Sequence, residues 1–152
     1  MLLDVDFSQH QPQLQVRRLA GKRHIFGAIR KKYLVLSPEE MVRQLIIAHL
    51  IETKGYKKQR ISVEKSLLVN GLRRRFDILV YQKAMQPFLL VECKAPSVPI
   101  DQGTFEQIAR YNMTLKVPYL LVSNGHQTYC CEIDFEQHRF HFLESIPDYP
   151  AS

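Results

Sequence analysis

Among its six glycines the sequence has no Gly-x-x-x-x-Gly-Lys followed by Ser or Thr, so these residues hold no phosphate-cradling loop and no ATP site is expected. Cysteine is scarce. The three present, Cys93, Cys130 and the adjacent Cys131, form no Cys-x-x-Cys, which argues against a disulfide framework and against a zinc site. Buried, reduced thiols are expected instead. No apolar run approaches the length of a membrane span, and the opening Met-Leu-Leu-Asp-Val-Asp lacks the basic region of a signal peptide. No membrane partner and a cytoplasmic location are therefore expected. Acidic residues are outnumbered, 15 against 21 Lys and Arg, leaving a net charge of +6 and a pI near 9.3. Such a balance favours a polyanionic partner.

What the chain does have is the composition of an ordinary globular domain, 45% hydrophobic and 24% charged over 152 residues. Two runs rich in β-formers, Arg73 to Tyr81 and Phe88 to Lys94, flank a short polar segment and predict an antiparallel hairpin. If it folds symmetrically about Ala84 and Met85, Asp77 lies opposite Glu92 with Cβ atoms roughly 5 Å apart. Like charges facing each other among apolar neighbours need compensation, which a hard divalent cation supplies. Lys94, two residues after Glu92, shares its strand face and adds a positive donor. On this arrangement Asp77→Asn is expected to stabilise the metal-free protein by relieving repulsion. The competing reading is a structural salt bridge at a strand end.

Upstream, Met1 to Gln13 carries little pattern. Short strands between Leu14 and Leu36 read as a basic β extension bearing Arg17, Arg18, Lys22, Arg23, Arg30, Lys31 and Lys32, either a solvated surface or a set of phosphate contacts. Ser37-Pro38-Glu39-Glu40 signals a helix start with Ser37 as N-cap and a capping box to Glu40. That helix runs to a Gly55 stop, with His49 as a core residue on its apolar face. Ile61 to Val69 follows as a strand, with Asn70-Gly71 as a type I′ turn and Glu64 as an exposed strand charge. Arg73 and Arg75 share a strand face with Asp77 and are positioned to lead a phosphate toward it, whereas Arg74 points away.

Downstream, Asp101 caps a second helix from Gln102 to Lys116. Tyr119 to Ser123 is expected to run parallel to the Glu92 strand after a crossover, Thr128 to Ile133 adds another strand, and Arg139 to Leu143 adds an edge. The expectation is an α/β protein with a mixed central sheet of about five strands flanked by helices. Residues 1–36 form its N-terminal β extension, 37–145 its core and 146–152 a tail.

Asp77 followed by Glu92-Cys93-Lys94 resembles the Asp…(Asp/Glu)-x-Lys signature of the PD-(D/E)XK nuclease superfamily, although Phe76 stands where the superfamily name has Pro. Leu67 to Leu72, Val91 to Pro96 and Gln107 to Asn112 more narrowly resemble the N-terminal nuclease domain of type I restriction enzyme R subunits, from about Ser37 to about Ile133. The resemblance implies a restriction-endonuclease-like core and a Mg²⁺-dependent deoxyribonuclease, with Mn²⁺ as substitute and endonuclease favoured over exonuclease. It implies metal ligation by Asp77, Glu92 and the Cys93 backbone carbonyl, with Lys94 at the reacting water or phosphate. In the superfamily the first helix commonly adds an acidic residue, and Glu40 matches best, with Glu39 as rival. Gln107-x-x-x-Tyr111 resembles a box of recombination-type nucleases, which implies a catalytic hydrogen bond from Gln107 and a nucleic-acid contact by Tyr111. Translocase domains of R subunits are not in this sequence, so a stand-alone form is expected. DNA is the expected partner, with a second copy of the chain or other restriction-system subunits as further candidates. A catalytically silent DNA-binding or docking module is the alternative.

Overall fold

The computed structural model describes residues 2–69 and 71–151. Three short antiparallel strands, β1 (Val16–Leu19), β2 (Lys22–Gly27) and β3 (Lys32–Val35), form the N-terminal sheet. A six-stranded sheet follows in the spatial order β4 (Ile61–Val69), β5 (Leu72–Gln82), β6 (Gln86–Cys93), β7 (Tyr119–Ser123), β8 (Thr128–Asp134) and β9 (Arg139–Phe142). Only the β6–β7 pair is parallel, and α2 (Gln102–Asn112) lies in the crossover between them. The expected mixed sheet of about five strands is thus six-stranded, with the expected edge, β9, pairing with β8 along its length.

α1 (Pro38–Ala48) begins where Ser37 Oγ accepts from the Glu40 backbone N–H at 3.0 Å and Pro38 occupies the first turn. Its apolar stripe, Val42, Ile46 and Ile47, continues into Leu50 in a π-helical turn over His49–Thr53 and packs on Ile78, Val80, Leu89, Val91 and Leu121. Each such buried aliphatic contributes roughly 1.5–3 kcal/mol over leaving it exposed. α2 covers the opposite sheet face, where Phe105 and Ala109 meet Leu79, Leu90, Leu120 and Cys131. The sheet is therefore buried on both sides, which explains the near-continuous apolar runs of β6 and β7.

Both termini join this core. Phe7 is fully buried, and the Leu3 N–H donates to the Thr128 carbonyl. The segment 146–152, expected as a plain tail, instead places Ile146 in the core, and the Tyr149 hydroxyl donates to the Tyr81 carbonyl at 2.9 Å. His49 is buried as expected, though not by apolar contact alone: its Nδ1 lies 3.1 Å from His10 Nε2. All three cysteines are free and buried.

The hairpin register holds along the strand body, pairing Ile78 with Val91, Leu79 with Leu90 and Val80 with Leu89. A bulge between Val80 and Tyr81 then shifts the count by one, so the turn is a three-residue loop, Lys83–Met85, with Ala84 and Met85 at positive φ. The turn is asymmetric, yet the ladder keeps the expected register as far as Ile78 and Val91, one position short of Asp77 and Glu92. The Asn70-Gly71 turn falls partly outside the described residues.

Candidate active site

β5 and β6 part beyond Ile78 and Val91, and the next positions in register are Asp77 and Glu92. There the Asp77 side chain replaces the backbone ladder: its Oδ2 accepts from the Cys93 N–H at 2.7 Å. Its Oδ1 accepts from Arg43 Nη2 on α1 at 3.0 Å. Both carboxylate oxygens of Asp77 are therefore engaged by this chain.

Strand alternation breaks at this point. Phe76 lies in the cluster under α2 and Ile78 in the cluster under α1, although residues two apart in a regular strand share a face. The ladder to β4 shows the matching defect, since Val63 pairs with Ile78 and Lys65 with Phe76 while Glu64 and Asp77 are passed over. Glu64 has φ of 48°, a left-handed conformation costing a non-glycine residue roughly 1–2 kcal/mol. Three arginines gather on its carboxylate: Arg30, Arg75 at 2.8 Å and Arg43 at 3.5 Å. Their charges outweigh the effect of burial and hold Glu64 below the usual carboxylate range. The exposed strand charge expected from sequence is in fact the junction of the N-terminal sheet, α1, β4 and β5.

Glu40 is similarly occupied. Its Oε1 accepts from Arg43 Nη1 at 2.5 Å and its Oε2 from Gln44 Nε2 at 2.9 Å. Only half of the capping box forms, with Ser37 receiving the Glu40 N–H while the Glu40 side chain turns inward to Arg43. Arg43, 6% exposed, thus sits among Glu39, Glu40, Glu64 and Asp77. Burial works against its charge, but Glu40 and Asp77 prevail and raise its pKa.

Glu92 is different. Alternation with Leu90, Val91 and Cys93 turns it toward the α2 side, and it accepts no hydrogen bond from a described residue. Burial, then the Asp77 charge, push its carboxyl up to about 7, against the pull of Lys94 and Arg74. Lys94 continues the parallel ladder through its N–H to the Ser123 carbonyl at 2.9 Å and remains partly buried.

On that side Arg74 bridges to α2. Its guanidinium stacks 3.7 Å from the Tyr111 ring centroid, with Nη2 3.5 Å from Asn112 Oδ1. Gln107 is exposed on α2, one turn before Tyr111, itself 61% exposed. Among the basic residues, Arg17 stacks on Tyr33 and Arg18 donates to the Gly21 carbonyl, while Lys22, Arg23, Lys31 and Lys32 are exposed. Arg73 is exposed, and Arg75 is committed to Glu64.

Among the described residues no three His, Cys, Asp or Glu side chains are grouped as metal ligands. The donor chemistry nevertheless fits a hard divalent ion, because Asp77, Glu92 and the Cys93 carbonyl are all oxygen donors at one end of a hairpin and the Glu92 carboxyl has no hydrogen-bond partner among the described residues. The buried thiols do not compete as ligands: burial pushes Cys131 up to about 12 and raises Cys93 and Cys130 strongly.

Sequence reasoning missed Arg43, Glu64 and Arg74. Arg43 was signalled only by its three- and four-residue spacing from Glu40 and Glu39; its partner Asp77 lies 34 residues away.

A mixed six-stranded sheet packed by helices on both faces is an α/β fold, and Asp77 and Glu92-Cys93-Lys94 lie at the end where its β5–β6 hairpin opens. Residues 38–147 match the family described as Type I restriction enzyme R protein N terminus, and the chain belongs to that family. Among solved structures the chain is similar to the fragment structure of a putative HsdR subunit of a type I restriction enzyme from Vibrio vulnificus YJ016, at 20% identity and a TM-score of 0.49. The match covers 74% of this chain and 24% of that one, so this chain spans about a quarter of that relative's length. None of the curated proteins matches this chain. Among the described residues, no helix is long and apolar enough to cross a membrane.

Proposed function

We propose that this member of the restriction family is a Mg²⁺-dependent deoxyribonuclease, cutting internally, that works in the cytoplasm alone or with other restriction subunits. The observation that carries the reading is the Glu92 carboxyl, partly buried and without a hydrogen-bond partner, in register with Asp77 and two residues before Lys94. A structural salt bridge would hold this carboxylate against a cation within hydrogen-bond reach, and no described residue does so.

Asp77, Glu92 and the Cys93 carbonyl would hold the ion, which when bound would supply activation of a water and neutralisation of charge on the scissile phosphate. Asp77 is pre-positioned for this by the Cys93 N–H, and Glu92 by the apolar body of β6. Lys94 donates to the attacking water or a phosphate oxygen from the same strand face as Glu92. Arg74, fixed on Tyr111, and the exposed cations of the N-terminal sheet hold the DNA backbone without reading sequence.

Purified protein incubated with supercoiled plasmid or linear single-stranded DNA is expected to cleave in Mg²⁺ or Mn²⁺ and not in EDTA, with Glu92→Gln inactive under all three conditions. Cleavage retained by Glu92→Gln, or none with either ion, rejects the reading. The engagement of both Asp77 oxygens favours one alternative, a silent DNA-binding module. That module predicts salt-sensitive DNA binding by wild type without any cleavage.

A further inference from the structure

The sheet end gathers more carboxylates around one arginine than a strand-end ion pair requires. Four carboxylates, Glu39, Glu40, Glu64 and Asp77, lie within 3.5 Å of Arg43 nitrogens, and this arginine is more than nine-tenths buried. Among the described residues its Nε is buried with no hydrogen-bond partner, and Arg43 lines a cavity of about 10 Å³, about one water sphere, between α1, β4 and the β2–β3 side. The guanidinium is thus held through its two Nη atoms, while its Nε donor is left unsatisfied. Glu40, one helical turn before it, holds Nη1 at 2.5 Å, whereas Asp77 is reached only by Nη2 at 3.0 Å.

We propose that Arg43 is the resident counter-ion of this carboxylate group, and that a divalent ion engages Asp77 by taking it from Arg43, which stays anchored on Glu40. This rests on the metal-dependent reading of the site. A divalent ion at the Asp77 oxygen that faces Arg43 meets the guanidinium's repulsion at close range, so binding there weakens the Arg43 bond in favour of Glu40. Glu40 then acts as a positioning residue that keeps the displaced guanidinium paired. The consequence is that Arg43 weakens metal binding while it keeps the metal-free fold stable.

The test is Mn²⁺ binding, read from the free-ion electron paramagnetic resonance signal, to wild type and Arg43→Gln whose fold is checked by circular dichroism. Arg43→Gln is expected to bind Mn²⁺ at least about tenfold tighter, to melt lower than wild type in EDTA, and to gain more in melting temperature from Mn²⁺. A second measurement needs no altered site: the Arg43 Nε–H resonance of ¹⁵N-labelled wild type, assigned by its absence from Arg43→Lys, should move on Mg²⁺ titration and saturate with the metal. Equal or weaker Mn²⁺ binding by Arg43→Gln overturns the proposal and leaves the nuclease reading standing, provided wild type binds Mn²⁺. If Arg43→Gln does not fold, an Nε–H resonance unmoved by saturating Mg²⁺ overturns it instead. Wild type that binds neither ion overturns both.

Discussion

Asp77 and Glu92 lie at the same open end of one hairpin, yet among the described residues one has both carboxylate oxygens engaged and the other neither. Asp77 sits at the break in strand alternation, where its carboxylate reaches α1 and the Cys93 N–H; Glu92 remains on the regular side of β6, beneath no donor. Asp77 is thus neutralised within the fold, while burial and the Asp77 charge raise the Glu92 carboxyl. A purely structural pair gains nothing from this asymmetry, whereas a cation site uses it: the bare carboxylate supplies drive for binding and the engaged one supplies position.

The largest way to break the comparison is through chemistry. Lys94 has no ion pair among the described residues, so its removal tests function without dismantling a network. Lys94→Ala is expected to lower plasmid cleavage about 10²- to 10³-fold, the scale for loss of one positioned donor to a developing charge. The melting temperature in EDTA should change little. A variant cutting within threefold of wild type would remove Lys94 from the reaction.

Stability tests the two carboxylates against each other. The sequence-level expectation that Asp77→Asn stabilises the metal-free protein does not survive the geometry, because Asp77 is bonded to Arg43 and to the Cys93 N–H. Asp77→Asn is now expected to destabilise by about 1–3 kcal/mol, the scale for hydrogen bonds to a charged group. Urea denaturation in EDTA measures it. An unchanged or raised midpoint would show that the Arg43 contact carries no net stability.

Glu92→Gln should act with the opposite sign and only at the right pH. The Glu92 carboxyl is raised from 4.5 to about 7, so the folded state binds the proton more tightly than the unfolded state. Its favourable contribution is fully present below pH 4.5, and it is lost as pH rises through 7. Melting of the two proteins in EDTA should coincide near the acid end of that window and diverge toward pH 8, with Glu92→Gln the more stable. Excess Mg²⁺ at pH 8 should reverse the order, since the ion stabilises only the protein that binds it. Parallel melting curves at every pH would mean that Glu92 is not destabilised in the fold.

Much of this arrangement was legible without coordinates, and for identifiable reasons. Apolar alternation and turn residues located the hairpin, and its constant register brought Asp77 to Glu92 even though the bulge at Val80 and Tyr81 altered the turn. Ser37 and Pro38 marked the start of α1, and Asp101 that of α2. What stayed hidden depended on the break in alternation. Counting by twos assigns Phe76 and Ile78 to one face, while the sheet sends them to opposite sides, and no local rule predicts the positive φ of Glu64 that accompanies the switch. The ion pairs it creates join residues 34 apart, Arg30 to Glu64 and Arg43 to Asp77. Local spacing cannot report those.

The smallest expected effect separates two adjacent arginines and carries the contrast between engaged and free groups from carboxylates to cations. Arg75 donates to Glu64 at 2.8 Å, so its charge already has a partner inside the fold. Arg74 has no carboxylate partner among its described contacts; its guanidinium is fixed by the Tyr111 ring and lies on the Glu92 side, where its field lowers the Glu92 pKa. A phosphate reaching Glu92 therefore meets Arg74 as an available charge, and Arg75 only at the cost of the Glu64 pair. Neutralising one phosphate contact should reduce the slope of log binding constant against log salt by about 0.9 on duplex DNA. Arg74→Ala is expected to show that reduction, and Arg75→Ala a clearly smaller one accompanied by a loss of stability from the strained Glu64 position. Fluorescence anisotropy of a labelled duplex in EDTA, across a series of KCl concentrations, gives both slopes. If Arg75→Ala lowers the slope as much as Arg74→Ala, then Arg75 leaves Glu64 when DNA binds, and the division between structural and DNA-facing arginines at this strand end fails.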